Sequence, residues 1–125
     1  MITLYGPINT GAAVGADGAA TIAKDTPNRV IGTIRGIGVR YNGDDPATAD
    51  LTIAGKGTDC LAKPILTVTD GNTDKWFFPK ELIDTIAGAE VAANYTDIAI
   101  YDFVTITLAQ ANTGDTVDVW FLLEN

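Results

Sequence analysis

The chain has 125 residues, of which 46% are hydrophobic, so it is long enough for one domain with a single core and too apolar for a disordered segment. Sixteen Asp and Glu against eight Lys and Arg give a formal net charge of −8. Because such an acidic surface repels phosphate, we expect neither nucleic acid nor an anionic membrane as a partner.

The first 18 residues differ in composition from the rest of the chain. Ile2, Leu4 and Tyr5 stand at the tip, and glycine and alanine dominate the remainder of the segment. So few bulky side chains cannot hold the segment in one conformation. We predict that residues 1–18 form an extended arm that docks on another surface, or a frayed end, and that residues 19–125 form the domain. Because the arm lacks the regions of a secretory signal, we expect synthesis in a cytoplasm.

Short runs in which apolar residues alternate with Thr or other polar residues predict strands in the middle of the chain. These runs are residues 19–23, 29–41, 51–53 and 65–69. In the longest run we expect Ile31, Ile37 and Val39 on one face. Three glycines lie on the other face, where they permit a bend or a bulge.

Residues 69–81, TDGNTDKWFFPKE, support two interpretations. Oxygen-bearing side chains stand at the first, third, fifth and twelfth positions of a calcium loop: Asp70, Asn72, Asp74 and Glu81. The sixth position, where the loop needs glycine, is Lys75. Asp, Gly and Asn also suit a simple turn between two strands. We favour the turn and expect no metal here.

The aromatic run at residues 76–78 predicts a strand. Its successive side chains point to opposite faces, so Trp76 and Phe78 lie opposite Phe77. Two possibilities stay open for residues 80–93, namely a helical turn or a strand followed by a turn at residues 84–88, and we favour the second.

The clearest alternation lies near the C-terminus. Residues 102–110 and 116–124 each place apolar side chains on one face, and turn-forming residues 111–115 join them. We predict that the two runs form a β-hairpin. Trp120 falls on the face opposite the core side chains of its strand.

Seven or eight short strands without a convincing helical period indicate an all-β fold. We predict a single-domain antiparallel β-sandwich or jelly roll with the N-terminal arm extending from it. Large apolar groups on both faces of the aromatic strands favour either full coverage within the domain or contact with another chain. The side chains predicted to form such a subunit or partner interface are Ile2, Leu4, Tyr5, Trp76, Phe78 and Trp120.

No residue pattern favours catalysis. The chain has no His and no Ser, which excludes Ser-His-Asp and Cys-His constellations and imidazole metal ligands. Gly36-Ile37-Gly38 lacks the third glycine and the helix of a dinucleotide loop. Cys60 cannot form an internal disulfide, and we expect a buried thiol. We therefore predict no enzymatic activity, no cofactor and no metal.

Residues 65–80 and 101–125 resemble a group of small phage proteins. The shared pattern consists of a Thr-rich strand, an Asn-Thr-Asp turn, an aromatic pair before proline and a basic residue, and a final hairpin. Here these features are residues 66–68, 72–74, 77–80 and 103–123. The chain departs from the pattern by carrying Lys80 where arginine is usual. In this pattern it is similar to the jelly-roll or β-sandwich decoration (cement) proteins of tailed-phage heads.

This resemblance implies a structural virion protein that binds the outer capsid surface and stabilises the head. Its partners would be the major capsid protein and copies of itself in a homotrimer, and its location the outer surface of the virion. Because sandwich modules also serve in tails and fibres, the alternative is a tail- or fibre-associated module that binds carbohydrate through exposed aromatic side chains such as Trp76.

Overall fold

The structure, a computed structural model, describes residues 1–58 and 60–125. These residues form ten β-strands: β1 (Ile2–Asn9), β2 (Ala20–Asp25), β3 (Val30–Asn42), β4 (Asp50–Gly55), β5 (Pro64–Val68), β6 (Lys75–Phe77), β7 (Lys80–Asp84), β8 (Glu90–Asp102), β9 (Val104–Ala111) and β10 (Thr116–Glu124). Within those two ranges, no helix is long and apolar enough to cross a membrane.

The strands form two antiparallel sheets packed as a β-sandwich, which confirms the predicted fold class. The larger sheet has the order β1-β10-β3-β8-β7, with β6 paired to the second half of β3, and the smaller sheet has the order β2-β9-β4-β5. Apart from β6 and β7, the first strand pairs with the last, β2 with β9, β3 with β8 and β4 with β5. A long hairpin rolled up in this way has the connectivity of a jelly roll.

The core lies between the sheets and is built from the alternating apolar residues of each strand. The largest fully buried side chain is that of Phe121 in β10, and the smaller sheet contributes Leu51, Ile53, Ile106 and Leu108 to the same core. Burying one such side chain contributes about 1.5–3 kcal/mol. The intervening Thr residues take the opposite face, which explains the Thr-apolar alternation of the sequence.

The last two strands do not pair with each other, so the predicted C-terminal hairpin is wrong. β9 pairs with β2 and β4, whereas β10 pairs with β1 and β3. Residues 112–115 instead cross from one sheet to the other. Both strands bury one face completely, in the core between the two sheets, which stack roughly 10 Å apart.

The N-terminal segment also differs from our expectation, because it belongs to the sandwich. β1 is an edge strand paired with β10, and Ile8, Thr10 and Ala13 are buried. A register shift, at a cis Gly6-Pro7 bond, lets Tyr5 and Ile8 both face inward although they are three residues apart. The shift interrupts the two-residue period that would identify the strand.

A second register shift corrects the face assignment in β3. Ile31 was expected to share a face with Ile37 and Val39, but it lies on the outer face and is half-exposed. The shift against β10 inserts Arg35 as an extra residue. The alternation is thereby reversed, so Ile34 and Ile37 are both buried.

Two further predictions concern residues 80–93 and Cys60. Residues 80–93 form β7, a turn closed by the Gly88 amide donating to the Thr85 carbonyl (2.9 Å), and the start of β8, so the strand-and-turn alternative is correct. Cys60 is exposed rather than buried, because it lies on the surface connection between β4 and β5.

Candidate interaction face

Five of the six predicted interface side chains lie on the outer surface of the larger sheet. With Leu122 they form what we call the outer apolar face: Ile2, Leu4, Trp76, Phe78, Trp120 and Leu122. The sixth, Tyr5, points inward, and the centre of its ring lies 6.3 Å from the centre of the Phe121 ring. The predicted interface residues did not include Leu122. Its position two residues after Trp120, on the same face of the strand, was the signal that could have identified it.

Strand pairing sets the layout of this face. Leu4 in β1 lies opposite Leu122 in β10, and Leu122 lies opposite Gly36 in β3. Trp120 lies opposite Gly38, which in turn pairs with Trp76 in β6. Four adjacent strands therefore supply one continuous apolar surface.

The glycines of β3 form a floor on which two aromatic rings lie. A Cβ atom placed on Gly38 would come within 3.1 Å of the Trp76 ring, and one on Gly36 within 3.2 Å of the Phe78 ring. Both distances are shorter than an ordinary carbon–carbon contact of about 3.5–4.0 Å. The absent side chains thus let the rings approach the sheet backbone closely.

Four of these six side chains are substantially accessible to solvent, and Trp120 and Leu122 are partly buried. The exposed fractions are 52% for Ile2, 56% for Leu4, 44% for Trp76 and 64% for Phe78. Single exposed apolar residues are normal on protein surfaces, but a contiguous patch is typical of a binding surface.

Two shallow grooves run along the outer apolar face. One, of about 450 Å³, is lined by Leu4, Trp76 and Trp120 together with Arg40 and Asp74. The other, of about 490 Å³, is lined by Ile2, Phe78 and Leu122 together with Arg35, Lys80 and Glu124. Each groove thus combines an apolar base with charged groups at its edge.

A hydrogen-bonded cluster around Asp118 fixes one border of the face. Arg40 donates to the Asp118 carboxylate at 2.6 Å, and Asn9 and Asn42 donate to it at 2.8 and 2.9 Å. Burial alone would raise the pKa of Asp118, but these three donors together hold it below its usual value. The Arg40 guanidinium also lies 5.1 Å from the centre of the Trp120 ring, in cation–π range.

The opposite border consists of a second ionic cluster. Arg35 pairs with Asp97 at 3.3 Å and with Glu124, and Lys80 also donates to Asp97. The hydrogen bond from Lys80, with the charge of Arg35, lowers the pKa of Asp97. All of these groups are near solvent, where ion pairs add little to the stability of the fold. The cluster therefore serves mainly to hold the charged side chains in place along this border.

The charges along the borders and grooves balance one another. They comprise four basic residues (Arg35, Arg40, Lys75 and Lys80) and four acidic residues (Asp74, Asp97, Asp118 and Glu124). This face therefore carries no net formal charge in a chain whose net charge is −8.

The side chains that resembled a calcium loop contact other parts of the protein. Glu81 accepts from Lys63 at 2.9 Å, Asp74 accepts from the Tyr41 amide at 2.8 Å, and Asn72 donates to the Asp45 carbonyl at 2.9 Å. Across residues 1–58 and 60–125, no group of three or more acidic, His or Cys side chains could hold a metal ion. The segment connects β5 of the smaller sheet to β6 of the larger one.

Comparison of this chain with protein families, with curated proteins and with solved structures gives no match.

Proposed function

We propose that this chain is a structural virion protein, a decoration protein that binds the outer surface of a tailed-phage capsid through its outer apolar face. The observation that supports this proposal is that face itself, a contiguous set of exposed and partly exposed aromatic and aliphatic side chains on a folded domain.

The composition and charge of the face suit a protein partner. Interface centres are typically enriched in aromatic residues and depleted of charge, with a polar border. Trp76, Phe78 and Trp120 occupy the centre here, and paired ions occupy the border. Because the face is neutral, a partner can approach it without the repulsion that the rest of this acidic chain exerts on acidic surfaces.

The capsid is proposed as the partner because of the sequence resemblance. The aromatic pair and basic residue of the shared pattern, Phe77 to Lys80, contribute Phe78 to the outer apolar face and Lys80 to its border. A jelly roll by itself serves many functions, so the fold adds no preference.

Co-sedimentation with undecorated heads of the phage that encodes the chain tests the proposal. We expect wild-type protein to sediment with the heads and Trp76→Ala/Phe78→Ala to bind at least about tenfold more weakly, since central aromatic side chains often contribute more than 1 kcal/mol each. Ile86→Ala is the matched control, because Ile86 is fully exposed on the β7–β8 turn, outside the face. Equal binding by the double variant, or no binding by wild type, would contradict the proposal.

The proposed assembly is a homotrimer. Light scattering should then give a mass near that of three chains, because apolar surface of this extent favours self-association. The same measurement on Trp76→Ala/Phe78→Ala shows whether this face also joins the subunits. A monomer at high concentration would argue against a trimer that forms without the capsid.

One groove favours a second candidate function, carbohydrate binding by a tail or fibre module. Trp76 and Trp120 line it together with Arg40, Asp74 and Lys75, so apolar rings and hydrogen-bonding groups stand side by side. A sugar offers an apolar ring face and hydroxyl groups to such a surface. Glycan-array binding that Trp76→Ala abolishes would support this function over the first.

A further inference from the structure

Three connections meet at one end of the sandwich, and we call them the loop cluster: residues 43–45, 69–74 and 112–115. Side-chain amides join them. Asn72 donates to the Asp45 carbonyl and Asn112 donates to the Asp44 carbonyl, both at 2.9 Å. The cluster therefore links the end of β3, the approach to β6 and the crossing from β9 to β10.

Asp45 is buried in this cluster without a donor. The residue is only 7% exposed, and both carboxylate oxygens are enclosed without a hydrogen-bond partner. An ionised carboxylate in such a place is costly unless a cation, a donor or a proton neutralises it.

In the described part of the chain, the titratable groups that act on Asp45 are acidic. They are Asp115, itself only 5% exposed, together with Asp74 and the Tyr41 hydroxyl, which is also enclosed without a partner. Burial raises the pKa of Tyr41, and the charges of Asp45 and Asp74 raise it further, to about 12. The Tyr41 hydroxyl therefore stays neutral. None of these groups supplies the positive charge that an ionised Asp45 would need.

The contact between Asp45 and Asp115 resolves this difficulty. One Asp115 oxygen accepts from the backbone N–H of Asn112 at 2.9 Å, and the side chain of Asp115 also lies within hydrogen-bonding reach of Asp45. Ionised carboxylates only accept hydrogen bonds, so the two groups can bond to each other only if one carries a proton. Burial, then the charge and hydrogen bond of Asp115, and then the charge of Asp74 raise the pKa of Asp45 to about 7.

We propose that Asp45 and Asp115 share a single proton, and that this proton stabilises the loop cluster. The proton converts two repelling carboxylates into a hydrogen-bonded pair. Asp74, which faces the pair, also lines the groove beside Trp76, so loss of the proton loosens the loop that leads into β6. The part of the outer apolar face beside Trp76 therefore becomes less firmly held as the pH rises, whichever partner the face binds.

The direction of the pH effect follows from the pKa of Asp45. It rises from 3.8 in the unfolded chain to about 7 in the fold, so the folded state binds the proton more tightly. The stabilisation is complete below pH 3.8 and is lost as the pH rises through about 7. Because the chain has no His, no imidazole adds its own titration between about pH 5.5 and 8.

The test compares melting temperatures between pH 5.5 and 8 for wild type, Asp45→Asn and the control Asp44→Asn, which changes the exposed neighbour. Wild type and the control should lose several degrees across this range. Asp45→Asn, which carries a permanent donor toward Asp115, should lose little and should be the most stable of the three at pH 8. Parallel curves for all three proteins would overturn the proposal.

Two measurements on wild type keep the test independent of the variants. The side-chain carboxyl ¹³C resonance of Asp45 should titrate near pH 7, and a midpoint near 4 would refute the shared proton. At pH 8, calcium should leave the melting temperature unchanged. A calcium-dependent rise that Asp45→Asn abolishes would show that the pair holds a metal ion instead.

Discussion

Gly38→Ala probes the packing of the outer apolar face, because it places a methyl group where the Trp76 ring lies. The new carbon would stand 3.1 Å from ring atoms of Trp76, closer than the ordinary contact of about 3.5 Å. The backbone of Gly38 is not in the left-handed region, so alanine brings no conformational strain of its own. The ring must therefore lift from the sheet or turn away from it.

The size of the effect follows from the covered area of the ring. Trp76 is 44% exposed. About 110 Å² of a side chain of roughly 200 Å² is thus covered, which corresponds to about 3 kcal/mol. A displacement of about 0.5 Å forfeits about a quarter to a half of such contacts, or roughly 1 kcal/mol. Alanine in a strand recovers about 0.5–1 kcal/mol relative to glycine, so the single variant should change stability little.

A double-mutant cycle separates the two contributions. In a Trp76→Ala background the clash is absent, and Gly38→Ala should stabilise the protein by about 0.5–1 kcal/mol. The expected coupling energy is therefore about 1 kcal/mol, measured by urea unfolding followed by far-UV circular dichroism. Thr33→Ala, about 16 Å further along the same strand, should combine additively with Trp76→Ala. A coupling below about 0.3 kcal/mol for Gly38 would refute the packing of this ring on the sheet.

Three other predictions concern stability. Deleting residues 1–9 removes β1 and should prevent cooperative folding or lower the melting temperature by more than about 10 °C, and a truncated protein that melts like wild type would show that β1 is dispensable. Asp118→Asn should cost about 1–2 kcal/mol at pH 7. Because the pKa of Asp118 is lowered in the fold, its contribution is lost as the pH falls below about 4, so the variant should approach wild type in urea unfolding at pH 3. Phe121→Ala should cost about 3–5 kcal/mol by the same assay, and a loss below about 1 kcal/mol would mean that the core side chain is misassigned.

Much of the local structure can be derived from short-range patterns. Val104, Ile106 and Leu108 alternate with Thr residues because one face of their strand is buried, and this holds whichever strands lie beside it. The same alternation places Trp76 and Phe78 on the face opposite Phe77, and Trp120 on the face opposite Val119 and Phe121. The all-β class and most of the candidate face could therefore be predicted without a structure.

Strand pairing could not be predicted in the same way, because it depends on contacts between residues far apart in the chain. Residues 112–115 suit a hairpin turn and a crossing between sheets equally well, and only the pairing of β9 and β10 with strands of different sheets decides between them. The register shifts in β1 and β3 could not be predicted either. One extra residue reverses the alternation of faces beyond it, which is why the faces of Ile31 and Tyr5 differ from a simple two-residue period.

The loop cluster depends on the tertiary structure most of all. Asp45 and Asp115 are 70 positions apart and each lies in a segment that reads as a solvated turn. The rolled connectivity brings these turns together and buries both carboxyl groups. Whether a carboxyl group is solvated or enclosed is a property of the assembled surface around it, and no local pattern of residues encodes that enclosure.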